Sequence, residues 1–179
     1  MTPGKPRTIE LRLPKCTVRE WRPSDVDSLV AQANNIKVWR NLHDGFPHPY
    51  TRADAEGWIQ KISTEHPDTV FTIDVDGKAV GGIGFHRGVD VQRLTATIGY
   101  WLGESFWGRG IAAEALRAVT EYAFAKFDFQ RLEAYVFEWN LPSTRVLEKA
   151  GYTREARLRK RVTKEGRTVD CFLYARVRE

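Results

Sequence analysis

The sequence predicts a mixed α/β (α+β) fold with a mostly antiparallel sheet, one parallel crossover and helices flanking the sheet. Two strand-like runs flank the turn pair Asp76-Gly77, which is typical of an antiparallel hairpin. Farther on, the strand-like run 94–102 is followed by a long helical pattern and then by the strand-like run 131–137. A strand, helix and strand of this length form a parallel crossover. With 179 residues, of which 42% are hydrophobic, residues 1–179 are expected to form a single domain.

The first half of the chain predicts two short strands and two capped helices. Residues 9–13 and 17–21 alternate as short strands, and Ser24 is the expected cap of the helix that follows. The loop 43–50 contains two prolines and is expected to be irregular. Thr51, with an acidic residue three positions later, predicts the start of the next helix. The buried stripe of that helix is expected at Ala55, Trp58, Ile59 and Ile62.

The second half predicts a glycine-weakened strand, two helices and a closing hairpin. Three glycines within 79–85 indicate a bulge or a close approach of the backbone there. The long helix is expected over 111–127 and a shorter one over 142–149. The runs 152–162 and 168–177 then form a hairpin. Trp39, Trp58 and Trp101 are expected mainly in the core.

Composition excludes several classes of protein. No apolar run approaches the roughly 20 residues of a membrane span, and residues 1–12 have no apolar signal-peptide core. Two cysteines are too few for a disulfide scaffold, so a reducing cytoplasm is the expected location. The net charge of +5 favours anionic ligands. Its basic excess lies in 154–167 without a basic helix or nucleic-acid motif, so nucleic acid is not the expected partner.

The glycine-punctuated turn before the long helix predicts an anion site. Gly108 and Gly110 can take backbone angles closed to other residues, and the helix that follows points its free N–H groups at them. An ordinary strand-to-helix loop is the alternative. The spacing Gly108-x-Gly110-x-x-Ala113 also matches a dinucleotide fingerprint, with Glu133 twenty residues later. However, Glu133 opens its strand instead of ending it, and too little chain follows for two mononucleotide-binding halves.

Three segments together extend the argument. Residues 107–112 are Trp-Gly-Arg-Gly-Ile-Ala, and residues 140–152 contain Asn-Leu-Pro-Ser followed by Glu-Lys-Ala-Gly-Tyr. The first resembles the pyrophosphate-binding pattern Gln/Arg-x-x-Gly-x-Gly/Ala of the GNAT acetyltransferase superfamily. The second, and the stretches 19–25 and 46–55, resemble the RimJ/RimL-like branch, as does Trp107 in place of the first polar residue. The resemblance covers nearly the whole chain in the same order.

The resemblance implies an acetyltransferase domain over residues 1–179 that uses acetyl-CoA as cosubstrate. The strands 94–102 and 131–137 are then expected to splay apart around the pantetheine arm, with the diphosphate on the amides that follow Arg109. The side chain of Arg109 either contacts phosphate or faces solvent. The implied cofactor residues are Trp101, Leu102, Gly103, Trp107, Gly108, Arg109, Gly110, Ile111, Ala112, Ala113, Asn140 and Ser143.

The catalytic residues are less evident. The tyrosine that usually donates a proton in this superfamily is replaced by Leu147. Ser143 is therefore the candidate for contacting the CoA sulfur, unless it only helps to start its helix. Asn140 is expected to orient cofactor or backbone groups, because an amide does not titrate. The conceivable bases are Glu104, Glu138 and Asp44, and a water relay is equally open.

The acceptor is expected to be a primary amine, and its identity stays open. The resemblance implies that Phe46, His48 and Tyr50 lie on loops that border the acceptor. An α-amine, with a pKa of about 7.7–8.0, needs less help from a base than a lysine at about 10.4, so a protein N-terminus suits this site. The alternatives are a polyamine, amino-sugar or antibiotic acceptor, and a non-catalytic CoA-binding regulatory domain. No metal is expected, because the four histidines lack partners at ligand spacing, and the protein is expected to be a monomer or homodimer.

Overall fold

The computed structural model describes residues 9–66 and 68–179. The prediction that residues 1–12 contain no signal-peptide core rests mostly on residues 1–8, which lie outside the described ranges. No helix of the described ranges is long and apolar enough to cross a membrane. The strands are β1 (Glu10–Arg12), β2 (Thr17–Arg19), β3 (Val70–Val75), β4 (Lys78–Arg87), β5 (Thr95–Leu102), β6 (Arg131–Phe137), β7 (Thr153–Lys164) and β8 (Arg167–Val177). The helices are α1 (Val26–Ala33), α2 (Ile36–Trp39), α3 (Arg52–Glu65), α4 (Ile111–Lys126) and α5 (Leu141–Lys149).

The described strands form a mixed sheet whose topology confirms the predicted fold. Their spatial order is β1-β2-β3-β4-β5-β6-β8-β7. Neighbouring strands are antiparallel except for β5 and β6, which are parallel and joined through α4. The β3–β4 hairpin turns at Asp76 and Gly77, whose φ angles of 52° and 80° match a two-residue turn of the type that suits twisted strands. The parallel pair is the feature that creates the site.

Two apolar clusters use the two faces of this sheet. Along β5, Ala96, Ile98 and Leu102 belong to one cluster, whereas Trp101 packs against the other. Since successive side chains of a strand point to opposite faces, the two clusters lie on opposite sides of β5. Helix α4 covers the first face and helices α1 and α3 cover the second. The buried anchors are Leu116, Val119 and Ala123 of α4, and Leu29, Ile59 and Ile62 of α1 and α3.

The predicted close approach along β4 is confirmed. The register between β3 and β4 shifts after Ile73, which marks a bulge. A Cβ at Gly81 would lie 2.4 Å from the Trp101 carbonyl, and one at Gly82 would lie 2.7 Å from the Trp101 indole nitrogen. Gly81 therefore lets the backbones of β4 and β5 approach, and Gly82 leaves room for the Trp101 ring against β4.

The expected burial of Trp58 is wrong. The residue is 40% exposed, whereas Ala55, Ile59 and Ile62 of the same helix are buried. These three positions already form the stripe that faces α1, and Trp58 lies at its edge, where it lines a cavity instead. Trp39 and Trp101, also expected mainly in the core, are half-buried.

The cap expected at Ser24 is also wrong. No side chain caps α1, and the backbone N–H of Arg22 instead donates to the Asp25 carboxylate at 2.8 Å. Asp25 is fixed because it also accepts from the buried guanidinium of Arg19 at 2.8 Å, which Asp74 shares at 2.7 Å. A partner 55 residues away from Arg19 gives no local signal in the sequence.

The capping box at the start of α3 is confirmed and supports a stability prediction. The Thr51 N–H donates to Asp54 Oδ2 at 2.8 Å, and the Asp54 N–H donates to Thr51 Oγ1 at 3.2 Å. Thr51→Ala is expected to lower the free energy of unfolding by about 1 kcal/mol, measured by urea denaturation. Thr64→Ala, on an exposed turn of the same helix, is the matched control and should change it by less than about 0.5 kcal/mol. Equal losses in both variants would argue against a capping role.

Candidate active site

The site begins where β5 and β6 part. The two strands pair only over residues 95–97 and 131–133, although they continue to Leu102 and Phe137. On their outer edges, β5 remains paired with β4 and β6 with β8 to their ends. The strands therefore enclose a wedge, closed at Thr97 and Glu133 and open toward the start of α4. A cavity of about 1410 Å³ includes this wedge and runs through to both faces of the sheet.

Backbone groups of β5 line the wedge in alternation. The N–H of Gly103 donates to the Val80 carbonyl at 2.8 Å, and the register with β4 is unbroken below it. Alternate residues of an antiparallel strand form their hydrogen bonds with the same neighbouring strand. The N–H groups of Trp101 and Gly103 therefore donate to β4. Those of Tyr100 and Leu102 face the wedge. Of Trp101, Leu102 and Gly103, which are among the implied cofactor residues, Leu102 is thus the one whose N–H points into the wedge.

The turn before α4 places unpaired backbone N–H groups at the mouth of the wedge. Gly108 and Gly110 have φ angles of 75° and 79°, in the left-handed region that glycine tolerates. The first bond within the helix runs from the Glu114 N–H to the Gly110 carbonyl at 3.2 Å, and no described side chain caps the helix. The N–H groups of residues 111–113 therefore have no partner within the helix. Three free amides at the positive end of a 16-residue helix, at the mouth of the wedge, fit a diphosphate.

Lys15 lies beside this turn, although it was not predicted to belong to the site. Its ammonium donates to the Arg109 carbonyl at 3.0 Å, and its backbone N–H donates to Glu114 at 3.1 Å. The Arg109 guanidinium itself lies over the Phe106 ring, 5.3 Å from its centroid, and is exposed. Lys15 is 94 residues from Arg109 in the sequence, so no local pattern could reveal the contact.

Trp107 holds the end of β5. Its indole N–H donates to the Leu102 carbonyl at 2.7 Å, although 42% of the residue remains exposed. The bond fixes the main chain between the wedge and the glycine turn. This is a structural use for the tryptophan that stands where the family pattern has a polar residue.

Tyr100 and Ser143 form a hydroxyl pair on the α4 side of the wedge. Their oxygen atoms are 2.7 Å apart, and the Tyr100 hydroxyl also lies 3.2 Å from the Ser143 carbonyl. Both residues line the cavity, as does Asn140 at the start of α5. Burial raises the pKa of Tyr100, which keeps the phenol protonated. Leu147, one turn beyond Ser143, is fully buried.

Tyr100 is a second residue that the sequence analysis missed. Its strand position gave a signal, because residues 96, 98, 100 and 102 alternate onto the face that α4 and α5 cover. What could not be inferred is that α5 would place Ser143 within reach of this tyrosine. A tyrosine hydroxyl is therefore present beside α5 although α5 carries leucine at position 147.

None of the three carboxylates considered as bases lines the cavity. Glu104 accepts hydrogen bonds from Lys37 and Asn35, which lower its pKa, with the Lys37 bond the larger cause. A carboxylate held in this way is a weak proton acceptor. Glu138 forms an ion pair with Arg157, and Asp44 forms one with Lys164.

The residues expected to border the acceptor divide into two groups. Phe46 and Tyr50 line the cavity and form an aromatic cluster with Trp101, with ring centroids 5.0 and 5.6 Å from Phe46. Burial raises the pKa of Tyr50 to about 12. His48 lies outside the lining and stacks on Trp39 at 5.7 Å. Further lining residues on this face, none of which was predicted to belong to a site, are Trp58, Lys61, His86, Tyr135, Phe137 and Trp139.

Neither cysteine is suited to covalent catalysis. Cys16 and Cys171 are buried, and burial raises the pKa of both thiols, that of Cys16 to about 12. A thiol that stays protonated is not a nucleophile. Within residues 9–66 and 68–179 there is also no group of three His, Cys, Asp or Glu side chains that could hold a metal ion.

Comparison with known proteins agrees with this geometry. Residues 15–153 match the family model described as an acetyltransferase (GNAT) domain. Among curated proteins, the chain is 28% identical over 164 residues to the uncharacterized N-acetyltransferase p20 of Bacillus licheniformis, covering 90% of this chain and 92% of that protein. It is 31% identical over 108 residues to the ribosomal-protein-serine acetyltransferase of Escherichia coli, covering 60% of each chain.

A solved structure resembles the whole described fold. The RimJ protein of Mycobacterium smegmatis, in complex with CoA-disulfide, superimposes with a TM-score of 0.81 at 26% identity. The match covers 99% of this chain and 90% of RimJ.

Proposed function

Since this chain belongs to the GNAT acetyltransferase family and is an acetyl-CoA-using N-acetyltransferase, we propose that it acetylates the α-amine of a protein or peptide N-terminus. The observation that carries the proposal is the charge of the cavity. Its lining contains the cations Lys37, Arg40, Lys61, Arg145 and Lys149, and Asp54 as the one carboxylate.

This charge disfavours acceptors with several amines. The Asp54 carboxylate is already engaged by the Thr51 N–H at 2.8 Å and by the Thr51 hydroxyl at 2.6 Å. Lys37 and Arg40 are paired with Glu104 and Glu165, but Lys61, Arg145 and Lys149 form no ion pair with the described residues. A polyamine or aminoglycoside would meet these three cations without a free lining carboxylate to receive its ammonium groups. An α-amine brings one charge, and with a pKa of about 7.7–8.0 it loses that charge easily.

The size of the cavity agrees with a chain terminus as acceptor. Its volume of about 1410 Å³ exceeds the roughly 300–1,000 Å³ typical of a pocket for one small molecule. Room for a pantetheine arm on one face leaves space for the first residues of a peptide on the other. The relatives acting on ribosomal proteins, by their names, support a protein acceptor as well.

The cofactor supplies the acetyl group as a thioester, and the chain contributes binding and polarisation. The amides of residues 111–113 would bind the diphosphate, and the N–H of Leu102 would donate to the thioester carbonyl. On the α4 side, the Ser143 hydroxyl would face the sulfur and donate a hydrogen bond that stabilises the negative charge on it as the carbon–sulfur bond breaks. Asn140 would help to orient the arm.

An acceptor panel tests the proposal. The purified protein is incubated with acetyl-CoA and peptides bearing a free or formylated N-terminus, a lysine peptide, spermidine and an aminoglycoside, and free thiol is measured. Peptides with a free N-terminus are expected to release thiol at least about tenfold faster than spermidine or the aminoglycoside, because of the charge of the cavity. Faster release with either polycation would refute the acceptor class. CoA binding without release from any amine would favour a regulatory CoA-binding domain.

A further inference from the structure

A hydrogen-bonded tyrosine–glutamate pair lies at the closed end of the wedge. Tyr135 lines the cavity, and its hydroxyl donates to Glu133 Oε1 at 2.8 Å. Glu133 is the last residue of β6 that pairs with β5, opposite Thr97. We propose that Tyr135 and Glu133 receive the proton that the acceptor amine releases, which rests on the proposed transfer to an α-amine in this wedge.

The pair faces the side from which the acceptor approaches. Leu132, Ala134 and Val136 of β6 point into the cluster covered by α4, so Tyr135 points to the opposite face. On that face, a Cβ placed on Gly99 would meet no atom within 4 Å. On this face, Gly99 and Tyr135 are the next residues after Thr97 and Glu133, the last pair that joins β5 and β6. The open space between them can hold an amine beside the thioester.

The pair passes the proton of the amine to water. In the transfer, the neutral amine nitrogen bonds to the acetyl carbon, the carbon–sulfur bond breaks, and a proton of the nitrogen goes to the sulfur, which leaves as the thiol. Before that step, the ammonium form of the amine passes its extra proton to the Tyr135 oxygen. The Tyr135 hydrogen moves at the same time to Glu133 Oε1, so the phenol ends unchanged. The Glu133 side chain, 17% exposed, then releases the proton to water. Its other oxygen accepts from Arg131 at 3.0 Å, and Arg131 is fixed by Glu155 at 2.6 Å.

The surroundings keep the phenol protonated. Burial, followed by the hydrogen bond to Glu133 and its charge, raises the pKa of Tyr135 above its ordinary value. The phenol therefore remains a hydrogen-bond donor to Glu133 throughout the neutral and mildly alkaline range. The charged groups that act on the pair are Arg131 on its own strand and Glu155 and Arg161 on β7. His86 of β4 and Lys61 of α3 line the same cavity.

His86 is the competing proton acceptor. It lines the same cavity, and burial is the largest cause that lowers its pKa, so it is neutral at pH 7. However, it lies on β4, where it pairs opposite Thr97. Strand β5 therefore separates it from the wedge, whereas Tyr135 borders the wedge directly.

A pH series distinguishes the two residues. Tyr135→Phe and Glu133→Gln are each expected to lower kcat/KM for a peptide α-amine about 30-fold at pH 7, below the full range of acid–base catalysis because water can partly replace the pair. At about pH 9.5 the free amine is already neutral, so the loss should shrink to less than about threefold. A loss that is the same at both pH values would indicate a structural role and overturn the proposal. A pH-dependent loss in His86→Asn, with Tyr135→Phe unaffected, would assign the proton to His86.

The matched control is Tyr174→Phe. The Tyr174 hydroxyl donates to Glu148 at 3.0 Å, but neither residue lines the cavity. This variant removes a tyrosine–glutamate hydrogen bond of the same kind outside the cavity, and it should leave kcat/KM within about twofold at both pH values. The CoA affinity of every variant is measured separately by calorimetry and should match the wild type. If the wild-type protein transfers no acetyl group to any α-amine, the proposed function fails before this test is reached.

Discussion

Replacing Gly110 by valine is expected to weaken CoA binding by about 100-fold, or about 2.7 kcal/mol. Gly110 has a φ of 79°, where a β-branched residue is a genuine outlier. A Cβ there would also lie 2.8 Å from the Lys15 ammonium. The Lys15 side chain can move aside, but the φ conflict is relieved only by a shift of the backbone, which would turn the amides of residues 111–113 away from the diphosphate. Calorimetric titration with CoA measures the loss.

Gly77→Val is the control for backbone strain alone. Gly77 has a φ of 80°, but a Cβ there would meet no atom within 4 Å, and the β3–β4 turn does not line the cavity. This variant should lose stability and keep wild-type CoA affinity. Urea denaturation of both variants separates the two effects. If Gly77→Val weakened CoA binding as much as Gly110→Val, the effect would be global destabilisation and the diphosphate site would have to lie elsewhere.

Features with local chemistry could be predicted from the sequence. The hairpin at Asp76-Gly77 requires two consecutive positive φ angles, and few residue pairs supply them. The Thr51 capping box needs partners three residues apart, so both lie within one short window. The parallel crossover followed from the lengths of 94–102, 111–127 and 131–137. Each of these signals is contained in a segment that forms its structure by itself.

Features made by tertiary packing could not be predicted. Lys15 reaches Arg109 across 94 residues, and Asp25, just before α1, is held by a buried arginine whose second partner lies 55 residues away. Trp58 has the spacing of a core residue, but the adjacent cavity leaves it exposed. Tyr100 appeared as an ordinary strand residue until α5 brought Ser143 within 2.7 Å of it. Function concentrates at such sites, because a cavity between elements must use residues from several of them.

Ser143→Ala is expected to lower kcat about 100-fold while changing CoA affinity less than about threefold. The serine hydroxyl would act on the sulfur only as the leaving group gains charge, so its loss affects the reaction more than ground-state binding. Thr144→Val is the matched control, because the Thr144 hydroxyl donates to the Leu141 carbonyl at 2.7 Å and does not line the cavity. Its kcat should stay within about twofold of wild type.

Tyr100→Phe then tests how Ser143 is positioned. The Tyr100 hydroxyl lies 2.7 Å from Ser143 Oγ and 3.2 Å from the Ser143 carbonyl, and when the phenol donates to Oγ, the serine hydrogen is free to point into the wedge. Tyr100→Phe is therefore expected to lower kcat about tenfold, and adding it to Ser143→Ala should cost nothing further, since interacting residues are not additive. If the two losses multiplied in the double variant, Tyr100 would act on the sulfur independently of Ser143. In that case the tyrosine of β5 and the serine of α5 would each contact the sulfur on its own.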